Sequence, residues 1–432
     1  MDLTIVALIG LGIMLALIFL GVNVGLSMMI VGFFGYMYIR DWNSAYVVMG
    51  TYTVSSTMIY SLTVIPLFVL MGNFAFHSGI SDDLFNTSRT LFGRVRGSLA
   101  YAAVWACALF GAICGSLVAT TATMSRVAKP VMTENKYSDK VIGGTLACSG
   151  TLGTLIPPST PFIIYGLMSE TSIGKLFAAG VFPGIIMAAS FSAVILLWST
   201  REKESFPTGR SYTGIEKIKS LKGFAGMFVL FFLVLGAMFS GITSVTEAAA
   251  IGALASLVIL FLRRRSSKKV LLTSFFDTAK TVGMVMLTIV GAGVFGTFLT
   301  LTNLPSNIAA WVQTFHISPI LVVALIIAIY GLLGCVMDTL ALMLLSIPIF
   351  MPLVNAIGLD PIWFGVIIVM IMNLGAITPP VGMSCYVASS VMGIQLGTVF
   401  RGAIPFLIAF AVSFVIVLTI PGVSLWLPSM VV

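Results

Sequence analysis

The chain has 432 residues, 59% hydrophobic and 8% charged, with a formal net charge of +8. A soluble globular domain carries charge on about a quarter of its residues, so that class is excluded. Apolar runs of about 20 residues recur, as bilayer-spanning helices require, and the alternating segments that mark a transmembrane barrel do not occur. The expectation is an all-α polytopic membrane protein.

In chain order, the first half predicts spans near 3–22, 25–39 and 57–78. Met1-Asp2-Leu3 offers neither a basic segment nor a small-residue cleavage site, so the first span is expected to stay in place. A polar, amphipathic stretch follows at 80–96. Two short apolar arms lie near 98–113 and 117–131. A span interrupted by Pro157-Pro158 covers 139–169, and a last span covers 175–198. After a basic linker at 200–222, the order repeats. Spans fall near 223–243, 246–262 and 279–301, and short arms near 319–334 and 338–354. A span interrupted by Pro379-Pro380 covers 361–391, and a last span covers 396–420.

The two proline pairs stand 222 residues apart. The same offset relates Pro130 to Pro352, Gly153 to Gly375, Gly180 to Gly402, Pro183 to Pro405 and Ser116 to Asp338. Such matching predicts duplicated halves, 1–199 and 223–432, joined by the linker. Proline lacks an N–H and clashes with the preceding turn, so each pair must break its helix. An arm of about 16 residues covers roughly 24 Å at helical rise. That is short of the roughly 30 Å hydrocarbon core. The paired arms therefore predict two re-entrant hairpins, giving about ten spans, two hairpins and two broken helices in all.

Charge predicts the orientation. Residues 89–140 carry seven Lys/Arg, and the matching window 311–362 carries none. By the positive-inside rule the first hairpin opens to the cytoplasm and the second to the outside, so the repeat is inverted. Linker and Arg263-Arg264-Arg265 are then cytoplasmic, and both termini external.

Each break should leave unpaired carbonyls, near Thr154 to Ile156 and Ala376 to Thr378, that suit a hard monovalent cation. Each should also present the positive end of a new helix, suited to an anion. Ser159 and Thr160, or Gly382 and Ser384, add hydroxyl or backbone contacts. At the hairpin tips, Ser116, Thr120 and Thr121 face Asp338 and Thr339 as counterparts. Ser116 and Asp338 suit both capping and ion ligation. An acid buried in apolar sequence, as Asp338 is, marks function by default. Arg126, in a returning arm, could meet a carboxylate or snorkel to the headgroups. Asn373 could ligate a cation or bond across helices. Glu247 fits a capping box with Ser244. His77 and His316 read as interfacial residues. Cys107, Cys114, Cys148, Cys335 and Cys385 lack metal spacing and read as packing residues. No nucleophile–base pair is visible, and the basic loops are topology signals, not a nucleic-acid surface.

Five segments carry a family resemblance: GAICGSLVATTATMSRV (111–127), GGTLACSGTLGTLIPPS (143–159), SIGKLFAAGVFPG (172–184), TEAAAIGA (246–253) and GAITPPVG (375–382). Together they resemble the large membrane subunit of a tripartite ATP-independent periplasmic (TRAP) transporter, the DctM-like family. Cys114-Gly115-Ser116-Leu117 departs from the Gly-Ser-Ser or Gly-Ser-Val that the family often has there. The resemblance implies an ion-transporter-superfamily fold, with a scaffold (1–79 and 223–301) and a transport domain (97–199 and 318–420) that moves as an elevator. It implies sodium-coupled uptake of a small organic acid across the bacterial inner membrane. It also implies a small four-helix, DctQ-like membrane subunit and a DctP-like periplasmic binding protein. About two sodium sites would fall on Gly115, Ser116, Gly153, Thr154 and Pro157, and on Gly334, Asp338, Gly375, Thr378 and Pro379. The alternative is a stand-alone sodium- or proton-coupled dicarboxylate transporter of similar fold.

Overall fold

The computed structural model describes residues 2–314 and 318–431, so the His316 expectation lies outside the described residues. Helices of the first half are α1 (Leu3–Phe19), α2 (Val24–Ile39), α3 (Trp42–Thr57), α4 (Val64–His77), α5 (Ile80–Phe92), α6 (Ser98–Cys114), α7 (Leu117–Glu134), α8 (Asp139–Gly150), α9 (Leu152–Leu155), α10 (Thr160–Met168) and α11 (Ile173–Arg201). The linker holds α12 (Gly214–Ser220). The second half holds α13 (Ala225–Phe231), α14 (Ala237–Phe239), α15 (Val245–Leu262), α16 (Lys268–Leu301), α17 (Leu304–Thr314), α18 (Pro319–Gly334), α19 (Thr339–Ala356), α20 (Pro361–Gly375), α21 (Met383–Met392), α22 (Leu396–Thr419) and α23 (Gly422–Leu425). Among the described residues, seven helical stretches are at least 18 residues long and apolar enough to cross a membrane. No strand occurs among the described residues, only an isolated bridge between Arg96 and Thr208.

Five elements differ from the sequence expectation. α3 is an additional helix, started by the Asp41 carboxylate on the Ser44 N–H at 2.9 Å. Its Asn, Ser and Thr content hid it from a hydropathy scan. Its counterpart is continuous with the next span, which makes α16 34 residues long. α17 is the counterpart of the amphipathic α5. The returning arms α7 and α19 are both 18 residues, about 27 Å, and so nearly as long as a full span.

The halves are interleaved. α2 packs on α16, and the equivalent pair, α15 and α4, packs the same way. Gly25 and Gly32 permit the first contact. A Cβ at either would lie 2.7 Å from α16 backbone atoms, of Thr288 or Phe295. Without hydrophobic drive between spans, such small-residue seams supply the van der Waals contact that holds them. α6 and α20 are buried on almost every side, so the first outgoing arm and the second broken helix form the centre of the molecule.

The linker is strapped down. The Gly97 N–H donates to the Pro207 carbonyl at 3.2 Å, and Arg96 Nη1 to the Lys203 carbonyl at 2.9 Å. Phe206 is 0% exposed and sits 5.2 Å from the Trp198 ring. Phe206→Ala is expected to lower stability by about 3 kcal/mol, as full truncation of a buried aromatic does. Denaturation of the purified protein in mixed micelles checks this. Nearby, α5 is tied to the loop after α15 by Asp83–Arg263 at 2.5 Å and Asp82–Arg265 at 3.4 Å.

Candidate functional site

Each hairpin tip closes on the break of its own half. In the first, the Thr160 N–H donates to the Gly115 carbonyl at 3.0 Å. In the second, the Val381 and Gly382 N–H groups donate to the Cys335 carbonyl at 3.2 and 3.4 Å. Both proline pairs carry cis peptide bonds. Gly115 has φ +63, and a Cβ there would lie 2.6 Å from the Pro158 carbonyl oxygen, so only glycine lets tip and break meet.

At the first break, Ser159 caps α10 through the Phe162 N–H, and its hydroxyl donates to the Thr154 carbonyl. Ser116 caps α7 through the Ala119 N–H at 3.4 Å. Thr120 Oγ1 stands against Gly153, and the Ser116 carbonyl lies 3.2 Å from where a Gly153 Cβ would be. Thr120 is 0% exposed, and among the described residues its hydroxyl has no hydrogen-bond partner other than the weak one offered by the adjacent Cys114 thiol. A buried hydroxyl so weakly partnered costs free energy unless something binds it. Gly153, Thr154, Pro157, Ser159 and Thr160 are all buried beside it.

The second break is more open. Pro379, Pro380 and Val381 are exposed, and Thr378 is half-buried. The Thr378 hydroxyl donates to the Leu374 carbonyl at 2.7 Å. Gly334 and Gly375 touch backbone to backbone, and a Cβ on Gly375 would lie 2.8 Å from the Gly334 Cα and O. Asp338 caps α19 through the Leu340 N–H at 3.1 Å. Gly382, at φ +54, starts α21. Among the described residues, the N–H groups of Met383 and Cys385, in the first turn of α21, make no backbone hydrogen bond outside the helices.

Bonds between the halves join the two breaks. Thr154 Oγ1 donates to Asn373 Oδ1 at 2.7 Å, and Asn373 Nδ2 donates to the Thr151 carbonyl at 3.4 Å. Asn373 therefore bonds across helices. Ser384 Oγ donates to the Ala147 carbonyl at 2.6 Å and lies 3.0 Å from Thr121 Oγ1. Lys129 Nζ donates to the Met392 carbonyl at 2.6 Å, at the end of α21. The geometry thus sets Ser116 and Thr120 against Gly153 at the first break, and Gly334 against Gly375 at the second. Ser384 is engaged as a tie between halves. Arg126 is exposed on α7, nine residues beyond Leu117, about 14 Å along the arm from the tip. Thr151 carried no individual signal in the sequence. Its offset from Asn373, equal to that of the proline pairs, was the one clue.

Glycine-mediated contact of hairpin tips with broken helices, in a chain rich in helices apolar enough to span a membrane, is transporter architecture. No group of three or more His, Cys, Asp or Glu that could hold a metal ion occurs among the described residues. A solved structure, the YdaH transporter of Alcanivorax borkumensis, shares the fold. Its TM-score is 0.66 at 14% identity, covering 89% of this chain and 90% of that one. The family profile described as "Tripartite ATP-independent periplasmic transporter, DctM component" matches residues 11–423. The C4-dicarboxylate TRAP transporter large permease protein DctM of Pseudomonas aeruginosa is 37% identical, over 86% of each chain. The sialic acid TRAP transporter large permease protein SiaM of Vibrio cholerae is 33% identical, over 86% of this chain and 87% of its own. The chain belongs to the DctM family of TRAP transporter large permeases. It is a transport protein, not an enzyme.

Proposed function

We propose that the chain couples sodium entry to uptake of a small organic acid, delivered by a periplasmic binding protein and admitted with a small membrane subunit. The observation that carries the proposal is the pairing of each hairpin tip with a broken helix, including the weakly partnered Thr120 hydroxyl at the first pair. Hydroxyl and carbonyl oxygens at such junctions suit Na⁺, which needs neutral or singly charged hard ligands. On this proposal one cation sits among Gly115, Ser116, Thr120, Gly153 and Thr154. A second sits among Gly334, Asp338, Gly375 and Thr378.

The substrate carboxylate belongs at the second break. There the exposed backbone and the Met383 and Cys385 N–H groups present the positive end of α21. The first break offers an anion less, since the Thr160 N–H is taken by Gly115 and the Phe162 N–H by Ser159. Arg126 supplies a cationic contact nearer the cytoplasmic end. The acids named for the relatives, C4-dicarboxylates and sialic acid, support an organic acid as the substrate. We place the chain in the bacterial inner membrane with both termini periplasmic. Segments 97–199 and 318–420 move as an elevator against 1–79 and 223–301.

Uptake by liposomes holding the chain and its small subunit tests this, with and without a sodium gradient and a binding protein. Accumulation only with both is expected; uptake indifferent to sodium would refute the coupling. For the orientation, a cysteine placed at the exposed position 210 is expected to resist an impermeant thiol reagent applied to intact cells. Ready labelling would reverse the topology.

A further inference from the structure

We propose that Asn373 is a positioning residue that couples the two cation sites, so that sodium bound at one raises affinity at the other. This rests on the sodium coupling proposed above. Thr151 and Asn373 stand 222 positions apart, the offset of the proline pairs, so they are equivalent residues of the two halves. Yet they touch, through the Asn373 Nδ2 bond to the Thr151 carbonyl. Equivalent residues of a two-fold repeat meet only where the pseudo-axis passes between them. Asn373 is therefore placed at the point from which both breaks are equally near.

The chemistry at that point is directional. A hydroxyl that ligates a cation must turn a lone pair to the ion and send its proton elsewhere. Asn373 Oδ1 receives the Thr154 proton at 2.7 Å, with the Thr151 carbonyl sharing it at 2.8 Å. Asn373 can hold that pose because its own amide N–H is anchored on Thr151. Thr151, Thr154 and Asn373 are 0%, 3% and 0% exposed, so their bonds act in a low dielectric and an unpaired amide there is costly.

On its other side Asn373 adjoins the second site. The Thr378 hydroxyl holds the carbonyl of Leu374, the next residue along, and Gly375 follows. A cation that orders Thr378 orders Leu374 and hence Asn373, which orients Thr154. The first site then has less disorder to remove when its own cation binds, which is positive cooperativity without a large displacement. The repeat supplies only one such amide. The positions equivalent to Asn373 and Thr154 are Thr151 and Ala376.

The test uses the full chain with its small subunit in liposomes, with sodium varied at fixed substrate and binding protein. The unaltered chain is expected to show a Hill coefficient for sodium approaching about 2, the number of sites. Asn373→Leu is expected to bring it to about 1 and to raise half-saturating sodium about tenfold. Asn373→Asp keeps the acceptor oxygen but loses the amide N–H anchored on Thr151, and should lower the coefficient as well. Adding Asn373→Leu to Thr154→Val should cost nothing more, because the hydroxyl it orients is already gone. An unchanged coefficient in Asn373→Leu overturns the coupling, as do additive effects in the double variant. Should Asn373→Leu fail to insert, Asn373→Asp and Thr154→Val decide it: a coefficient kept at the unaltered value in either overturns it. Uptake by the unaltered chain that ignores sodium would sink the sodium reading and the coupling with it. Sodium-dependent uptake with no change on Asn373→Leu sinks the coupling alone.

Discussion

Gly375→Ala is expected to abolish sodium-driven uptake while the chain still reaches the membrane. The added Cβ would lie 2.8 Å from the Gly334 Cα and carbonyl oxygen. Those are backbone atoms, so no rotamer change relieves the clash, and overpacking of this kind costs about 1–3 kcal/mol. The strain falls on the contact between the second hairpin tip and the second break. The structure can relax only by moving the tip, and with it the Gly334–Asp338 turn. Gly331→Ala is the control. It lies in α18, the helix that ends at Gly334, but its nearest neighbours are Ile371 side-chain atoms at 3.8 and 3.9 Å. Alanine there should be neutral, or stabilising by about 1 kcal/mol through helix propensity. Uptake and the sodium-induced rise in unfolding temperature, measured side by side, separate the two. Equal behaviour would mean that the tip–break contact does not matter to transport.

The second large effect is expected at Asp338 and Thr378. Asp338 caps α19 and also places a carboxyl group at the tip. The two roles separate by substitution. Asp338→Ser puts there the residue found at the equivalent position, Ser116, and keeps a capping oxygen. Asp338→Ala removes cap and carboxyl group, with about 1 kcal/mol of helix stability lost. We expect both to abolish sodium-driven uptake, and only the alanine variant to lose stability as well. Thr378→Val preserves shape but removes the oxygen whose proton is turned to Leu374, and should abolish uptake too. Normal uptake with both Asp338→Ala and Thr378→Val would remove these residues from the cation site.

Much of this was legible in the chain. Arms, breaks and last spans fall within a few residues of their expected bounds, because Pro157-Pro158, Pro379-Pro380 and the glycine tips act locally on the backbone. The Ser244–Glu247 capping box formed for the same reason, its Ser244 hydroxyl accepting the Glu247 N–H at 3.3 Å. α3 and α17 were not legible, since their polar or mixed faces carry no spanning signal and depend on the helices they lie against. The paired roles of Asn373 and Ser384 were also out of reach: their partners lie 219 and 237 residues away.

By itself, then, the sequence determined the membrane class, the duplicated order of elements and the places where helices must break. Composition, charge and proline act on the backbone without reference to distant contacts. Only the tertiary structure decided that the first break is buried and the second exposed. It alone placed Thr151 against Asn373 on the axis, and left the Thr120 hydroxyl weakly partnered beside Gly153. Those outcomes depend on how the two halves interleave, and two helices can pack that closely only where glycine removes the side chain between them.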